Sequence, residues 1–286
     1  MSTNKAIENA RKSKNDEFYT LLKDIESEMD FYKEYFKDKV IYCNCDNPKY
    51  SEFWNYFYNN FKVLGLKKLI ATWYQPDSFD NADMYEYDGK NIKVLKQFGV
   101  GDFRGFDCEF LLDDVDIVVT NPPFSLFTEF IDTLTRHNTD FIVLGSNMAC
   151  VYKCLIDRVL SNDVFVSYNG LNKSPGMYFK TPDNSLKKVA CCWYSTLKPS
   201  KPKLKLDITK DFNNFEYEYE YYDNYDAIEV PDIKSIPLNY NGVFGIPATI
   251  LCGNYDLSMF EPICPLKGLR IDGKNKFDRV LFKWKS

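Results

Sequence analysis

The chain is short of the residues on which several kinds of catalysis depend. It has one histidine, His137, in 286 residues, so a triad built on an imidazole base would rest on that single side chain, which argues against one. Nine cysteines are present, but no two have Cys-x-x-Cys spacing. Cys43 and Cys45 are separated by one residue, and Cys191 and Cys192 are adjacent. A structural zinc site is therefore not expected; such cysteines read as small buried hydrophobes in a reducing compartment. No apolar run approaches the roughly 18 residues of a membrane-spanning helix. The polar start, MSTNKAIENARKSKNDEF, has no apolar stretch of the secretory kind. The expectation is a cytoplasmic protein with no membrane partner and no metal.

What is there is globular. Hydrophobic residues make up 45% and charged residues 27%, which excludes a disordered chain and permits a sizeable core. The length allows one large domain or two modest ones. Net charge is −5, which taken alone speaks against nucleic acid, but the charge is segregated. A basic stretch from Asn172 to Lys210 is followed by the acidic DFNNFEYEYEYYDNYDAIEVPD, and the C-terminus is basic again. Segregation lets an acidic protein carry a basic face.

Strand and helix patterns alternate through about residue 150. DEFYTLLKDIESEMDFYKEYF reads as a helix with Asp16 as N-cap. KVIYCNCD reads as a strand, YSEFWNYFYNNFKVLG as a helix stopped at Gly65, and KKLIATWY as a second strand. NIKVLKQF is a candidate third strand. VDIVVT is a buried strand, SLFTEFIDTLTRH the helix after it, and DFIVLGS another strand. The alternation predicts a parallel sheet covered by helices on both faces. Past about residue 160 short strands and turns take over, and LKPSKPKLKL reads as a linker or extended surface arm. In α/β sheets ligands bind beyond the carboxyl ends of the strands. That puts CNCDNP, ATWYQPD, GVGDFRGF and TNPPF on one rim.

TNPPF carries the most chemistry. Two consecutive prolines cannot continue a sheet ladder, and an amide precedes them while an aromatic follows. The exocyclic amine of adenine is a poor nucleophile because its lone pair is delocalised into the ring. A site that alkylates it must hold both amine hydrogens so that the nitrogen becomes tetrahedral. The Asn121 side-chain oxygen and the Pro122 carbonyl supply two acceptors. Pro123 stiffens the loop, since in-line transfer tolerates little misplacement. Phe124 offers a face on which an extruded base can stack.

These four residues match the Asn-Pro-Pro-Phe/Tyr signature of amino-group methyltransferases that use S-adenosylmethionine. With KNDEFYT, VIYCNCDNP, LGLKKLIAT, GDFRGF, DIVVTNPPFSLFTEFI, NYDAIEV and GVFGIPATIL in this order, nearly the whole chain resembles the EcoRI-type adenine-specific DNA methyltransferase family. The resemblance implies a Rossmann-like S-adenosylmethionine-dependent α/β core over residues 1–164. A smaller target-recognition region with returning core elements would follow over 165–286. The implied reaction is site-specific methylation of a flipped adenine in double-stranded DNA, with a cognate restriction endonuclease acting separately. Methylation of an RNA or of a protein glutamine is an alternative within the enzyme class, and a binding-only relic one outside it.

For the cofactor, the resemblance implies Phe18, Tyr19 and Thr20 against its methionine part, and Asn44, Cys45 and Asp46 near its amino and carboxylate groups. Asp46 would pair with the ammonium, Asp102 would accept from the adenine amine, and Asn121 would also lie against the cofactor. Two departures leave the ribose contact open. CNCD stands where most such enzymes have Gly-x-Gly, and LIATWY ends without an acidic residue, leaving Trp73, Tyr74 or Asp77. The region implied to recognise the target places Lys173, Lys187, Lys188, Lys201, Lys203 and Lys205 as phosphate contacts, with Lys274, Lys276 and Arg279 next in line.

Overall fold

A computed structural model of the chain describes residues 19–78, 81–172, 176–181 and 183–285. Phe18, Lys173 and the Asp16 cap lie outside the described residues. In chain order the first elements are β1 (Tyr19–Thr20), α1 (Leu22–Met29), β2 (Val40–Asn44), α2 (Glu52–Leu64), β3 (Lys68–Thr72), β4 (Asp83–Tyr87) and β5 (Ile92–Lys96). Then come α3 (Phe106–Phe110), β6 (Ile117–Thr120), α4 (Phe127–Arg136), β7 (Asp140–Ser146), α5 (Ile156–Leu160), β8 (Phe165–Ser167), β9 (Met177–Lys180), β10 (Leu186–Val189) and β11 (Cys191–Ser195). The remainder is α6 (Phe212–Phe215), β12 (Ile228–Glu229), β13 (Phe244–Pro247), β14 (Phe260–Leu266), β15 (Arg270–Ile271), β16 (Lys274–Asn275) and β17 (Arg279–Trp284).

The chain divides into two compact units that cross the expected boundary at 164/165. One takes the residues up to Ser146 together with Tyr168–Lys201; the other is Asn147–Ser167 with Pro202–Ser286.

In the first unit a large mixed sheet runs in the order β5-β4-β3-β2-β6-β7-β11. β3, β2, β6 and β7 are parallel, as the alternation predicts. The flanks are not: β4 and β5 fold back antiparallel on one side and β11 on the other. The chain moves outward from β2 to β3, then returns to lay β6 on the opposite side of β2. That reversal opens a crevice between the strand tips.

Each helix stands where its sequence places an apolar stripe. In α2, Phe53, Trp54, Phe57 and Phe61 are buried, at about 1.5–3 kcal/mol for each side chain removed from water. Ser51 caps the helix by accepting from the Phe53 and Trp54 N–H groups, and Gly65 ends it in the left-handed region at φ 66°. This stripe packs with Ile41, Cys43, Leu69, Ala71, Ile117, Val119 and Leu144 on one face of the sheet. The next residue along β7, Gly145, faces the other way. A Cβ there would stand 2.5 Å from the Phe127 ring of α4, so α4 covers the second face.

The long N-terminal helix is shorter than its pattern suggests. Tyr19 and Thr20 pair antiparallel with Lys180 and Phe179 of β9, and α1 ends at Met29 before a 3-10 turn at Lys33–Tyr35. Ile25, Met29, Tyr32 and Phe36 are all buried. The helical period thus continues across a break in the helix, and periodicity alone does not reveal the break.

The second unit is built on a sheet of order β12-β13-β17-β14 with Phe244, Phe260 and Phe282 packed ring against ring. Inside it, the Arg279 guanidinium donates to the Glu229 carboxylate (Nη2 to Oε1 2.6 Å). A separate hairpin joins β15 to β16 through Asp272 and Gly273, at φ 50° and 71°. These are the dihedrals that an Asp-Gly pair supplies to a tight hairpin turn.

Candidate active site

A cavity of about 820 Å³ lies at the carboxyl tips of the parallel strands, within the first unit. Its walls are β1 itself, the segments that follow β2, β3 and β6, the start of α2 and the 101–104 turn. The size is in the range of sites that enclose a small molecule. Four rim segments expected to converge do converge.

After β6 the chain turns through Asn121, Pro122 and Pro123 into a 3-10 turn at Phe124–Leu126 and then α4. The Leu126 N–H donates to the Pro123 carbonyl (2.9 Å), so the turn closes through Pro123 and not through the Pro122 carbonyl. Asn121, Pro122, Pro123 and Phe124 all line the cavity. The half-buried Phe124 ring meets Phe179 of β9 edge to face, centroids 6.4 Å apart at 86°. One aromatic thereby props the other.

Behind this loop the strand tips are tied together. The Thr120 hydroxyl lies within hydrogen-bond reach of both the Asn44 carbonyl and the Asp46 carboxylate. Ser51 Oγ donates to the other Asp46 oxygen at 2.7 Å, and the Asp46 N–H donates to the Thr72 carbonyl at 3.0 Å. Cys45, between them, adopts the left-handed φ of 68°, which a glycine would adopt without strain. Asp46 is buried and has no cationic side chain in ion-pair range among the described residues. Burial pushes its carboxyl up to about 7, against hydrogen bonds from Thr120 and Ser51 that pull it down. The Cys43 and Cys45 thiols are pushed well up by burial and by Asp46, so neither is a thiolate nucleophile.

Asp102 also lines the cavity. Burial raises its carboxyl, and the hydrogen bonds and charge of Arg104 more than offset that, leaving it below the usual range. Arg104 grips both oxygens, Nε to Oδ1 at 2.9 Å and Nη2 to Oδ2 at 2.6 Å. The turn approaches Trp73 closely: a Cβ on Gly101 (φ 71°) would be 2.2 Å from the Trp73 carbonyl. Two further cavity-lining oxygens, Thr20 Oγ1 and Ser78 Oγ, are buried without a hydrogen-bond partner among the described residues. Such atoms cost about 1–3 kcal/mol each unless a ligand meets them.

Of the expected cofactor residues, the cavity brings together Tyr19, Thr20, Cys45, Asp46, Asp102 and Asn121. Asn44 sits just behind, fully enclosed. Trp73, Tyr74 and Asp77 all line the cavity, so the ribose alternatives stay open. Sequence reasoning missed Tyr50, Gln75 and Arg104, all of which line it. Arg104 was visible in GDFRGF as the cation beside Asp102. His137 is placed elsewhere, its Nδ1 at 3.0 Å from Asp113.

The lysines separate. Lys187 and Lys188 are exposed on β10, in the same small sheet as Thr20. Lys203 and Lys205 are exposed in the second unit. Lys201 is not a surface cation, contrary to expectation. Its Nζ lies 2.8 and 2.6 Å from the Glu28 oxygens and 2.9 Å from the Tyr168 carbonyl, and both side chains are enclosed. Nor does its segment hang free as an arm: Ser200 N donates to the Phe31 carbonyl at 3.0 Å, and Tyr35 Oη to Lys198 O at 3.0 Å. Arg279 is likewise buried against Glu229 and unavailable to a phosphate.

Among the described residues no helix is long and apolar enough to cross a membrane. The family model described as adenine-specific methyltransferase EcoRI matches residues 6–283. The type II methyltransferase M.EcoRI of Escherichia coli is 37% identical, with 99% of this chain and 97% of that protein aligned. M.MgeORF184P of Mycoplasma genitalium is 34% identical over 96% and 97% of the two chains, and M.MpnI of Mycoplasma pneumoniae 37% over 85% and 80%. No solved structure matches the chain.

Proposed function

The chain belongs to the family of adenine-specific methyltransferases described by the EcoRI enzyme and is a DNA methyltransferase; from that premise we propose that it methylates the 6-amino group of an adenine flipped out of duplex DNA, using S-adenosylmethionine. The observation that carries the reading is the shared cavity. The Asn-Pro-Pro-Phe loop, a buried carboxylate with no cation in range among the described residues, and two buried oxygens likewise without partners all face one space.

That donor set fits S-adenosylmethionine, which when bound supplies an electrophilic methyl on a sulfonium. Asp46 would take the ammonium and Asp102 the adenine amine. Thr20 Oγ1 and Ser78 Oγ offer hydroxyls to the polar groups between. The Asn121 amide oxygen and the Pro122 carbonyl accept the two hydrogens of the target amine. As the nitrogen attacks it becomes cationic, and both acceptors then hold it more strongly than in the ground state. No general base is needed before attack, because the amine loses its proton afterwards. The Phe124 ring, held by Phe179, stacks on the flipped base.

The Rossmann-like reading of the first unit rests on its parallel centre and on the site at the strand-order reversal. Target recognition belongs to the second unit together with the exposed lysines of β10. The setting is the cytoplasm, with a separately encoded restriction endonuclease as functional counterpart. The test is long-read modification mapping of host DNA. Wild-type protein should add methyladenine at one recurrent sequence. Asn121→Ala should lose about 3 kcal/mol of transition-state stabilisation, on the order of a hundredfold in rate. Methylation by the variant at the wild-type rate would refute the clamp.

A further inference from the structure

The tie behind the catalytic loop carries more than packing. Thr120 Oγ1 has one proton and two acceptors within reach, the Asn44 carbonyl and Asp46 Oδ2, and the residue after it is Asn121. If Asp46 is protonated, the chain of donors runs from Asp46 to Thr120 Oγ1 and from Thr120 to the Asn44 carbonyl, with every proton placed. If Asp46 is ionised, the Thr120 proton turns to the carboxylate and leaves that carbonyl. The hydroxyl therefore reports the charge state of a cavity wall to the backbone that carries the catalytic amide.

We propose that Thr120 is a positioning residue that couples the cationic end of the bound cofactor, through loss of the Asp46 proton, to the setting of Asn121. The inference rests on the cavity being the cofactor site. Burial pushes the Asp46 carboxyl up to about 7, which brings its protonated form within reach near neutral pH. A ligand ammonium placed against Asp46 favours the ionised form, so binding expels a proton to solvent and swings the Thr120 hydroxyl toward the carboxylate.

The thiols that neighbour Asp46 do not titrate in this window. The Cys43 and Cys45 thiols are pushed well above their usual range. From α2 the facing group is the Ser51 hydroxyl, with Glu52 further along the wall. Asp102 is held ionised by Arg104.

S-adenosylhomocysteine, which keeps the ammonium but has no methyl to give, is the probe. Calorimetry at pH 7 in buffers of different ionisation enthalpy should show release of about half a proton per site. Affinity should rise about fivefold from pH 6 to pH 7 and then level. Asp46→Asn should abolish the proton exchange. Thr120→Val removes a hydrogen bond that holds the Asp46 carboxyl down, so the midpoint of affinity against pH should move up. Single-turnover methylation at saturating cofactor should slow at least about tenfold, and Thr120→Ser should restore both. Binding by wild type without proton exchange overturns the coupling, as does an unmoved midpoint in Thr120→Val. If that variant does not fold, Thr120→Ala takes its place with the same expected rise of the midpoint, and an unmoved midpoint there overturns the coupling equally. No binding of the probe at all would overturn the cofactor reading and this inference with it.

Discussion

Replacing Lys201 by methionine tests whether the basic stretch is read from charge or from burial. The side chains of Lys201 and Glu28 are 1% and 0% exposed. Three short hydrogen bonds hold the ammonium, one of them to the Tyr168 carbonyl. Glu28 also accepts from the Gly170 N–H at 2.9 Å. Methionine keeps the length and removes the charge, leaving an enclosed carboxylate beside that neutral N–H. Removing one partner of a buried pair costs about 3–5 kcal/mol. For a unit of this size a kilocalorie is worth about 2–4 °C in melting temperature, so a drop of about 6–20 °C is expected. Glu28→Gln combined with Lys201→Met removes the stranded charge and should recover part of the loss. Thermal melts and DNA-binding salt titrations on the same preparations are the assay. A Lys201→Met protein that melts within a degree of wild type, with a flatter salt slope, would refute the buried-pair reasoning and return Lys201 to the DNA.

Asp102→Ala should weaken cofactor affinity by about 1–3 kcal/mol with DNA affinity largely unchanged, read by calorimetry; no change would make Asp102 a partner for Arg104 alone. Phe124→Ala should lose about 1–3 kcal/mol of stacking on the flipped base, seen as a reduced signal from a fluorescent adenine analogue at the target. Charge reversal of Lys187 with Lys188, and separately of Lys203 with Lys205, should each flatten the log-log salt dependence of DNA binding, by about 0.9 in slope for every phosphate that is no longer neutralised. A pair whose reversal leaves both slope and affinity intact is ordinary solvated surface.

The parallel centre and the Asn-Pro-Pro-Phe loop were legible because local signals set them. Ile117-Val118-Val119 is a run of buried β-branched residues, and two prolines end it unambiguously. Antiparallel β4 was not legible. ADMYEYDG mixes acids with aromatics; only Met84 of the strand is buried, while the half-buried Tyr85 and Tyr87 rings pack against Trp54 and Phe61 of α2. Lys201 was misread for a different reason. Its partner is 173 residues earlier in the chain, and no local pattern says which of many lysines meets a buried glutamate. The charge runs were real, but run membership does not reveal which members face water.

The chain passes between its two compact units after Ser146, after Ser167 and after Lys201, and this interleaving bears on how such a gene can diversify. A chain stopped at residue 164 would lack β9, the strand on which β1 pairs, and would lack β11, baring the flank of β7. That flank is a buried strand with unpaired backbone groups, a template for aggregation. With target recognition in the second unit, as proposed above, it would therefore not be a cassette that one recombination event could exchange. New target sequences would have to arise by point changes within the second unit, or by paired exchanges that keep Tyr168–Lys201 in place.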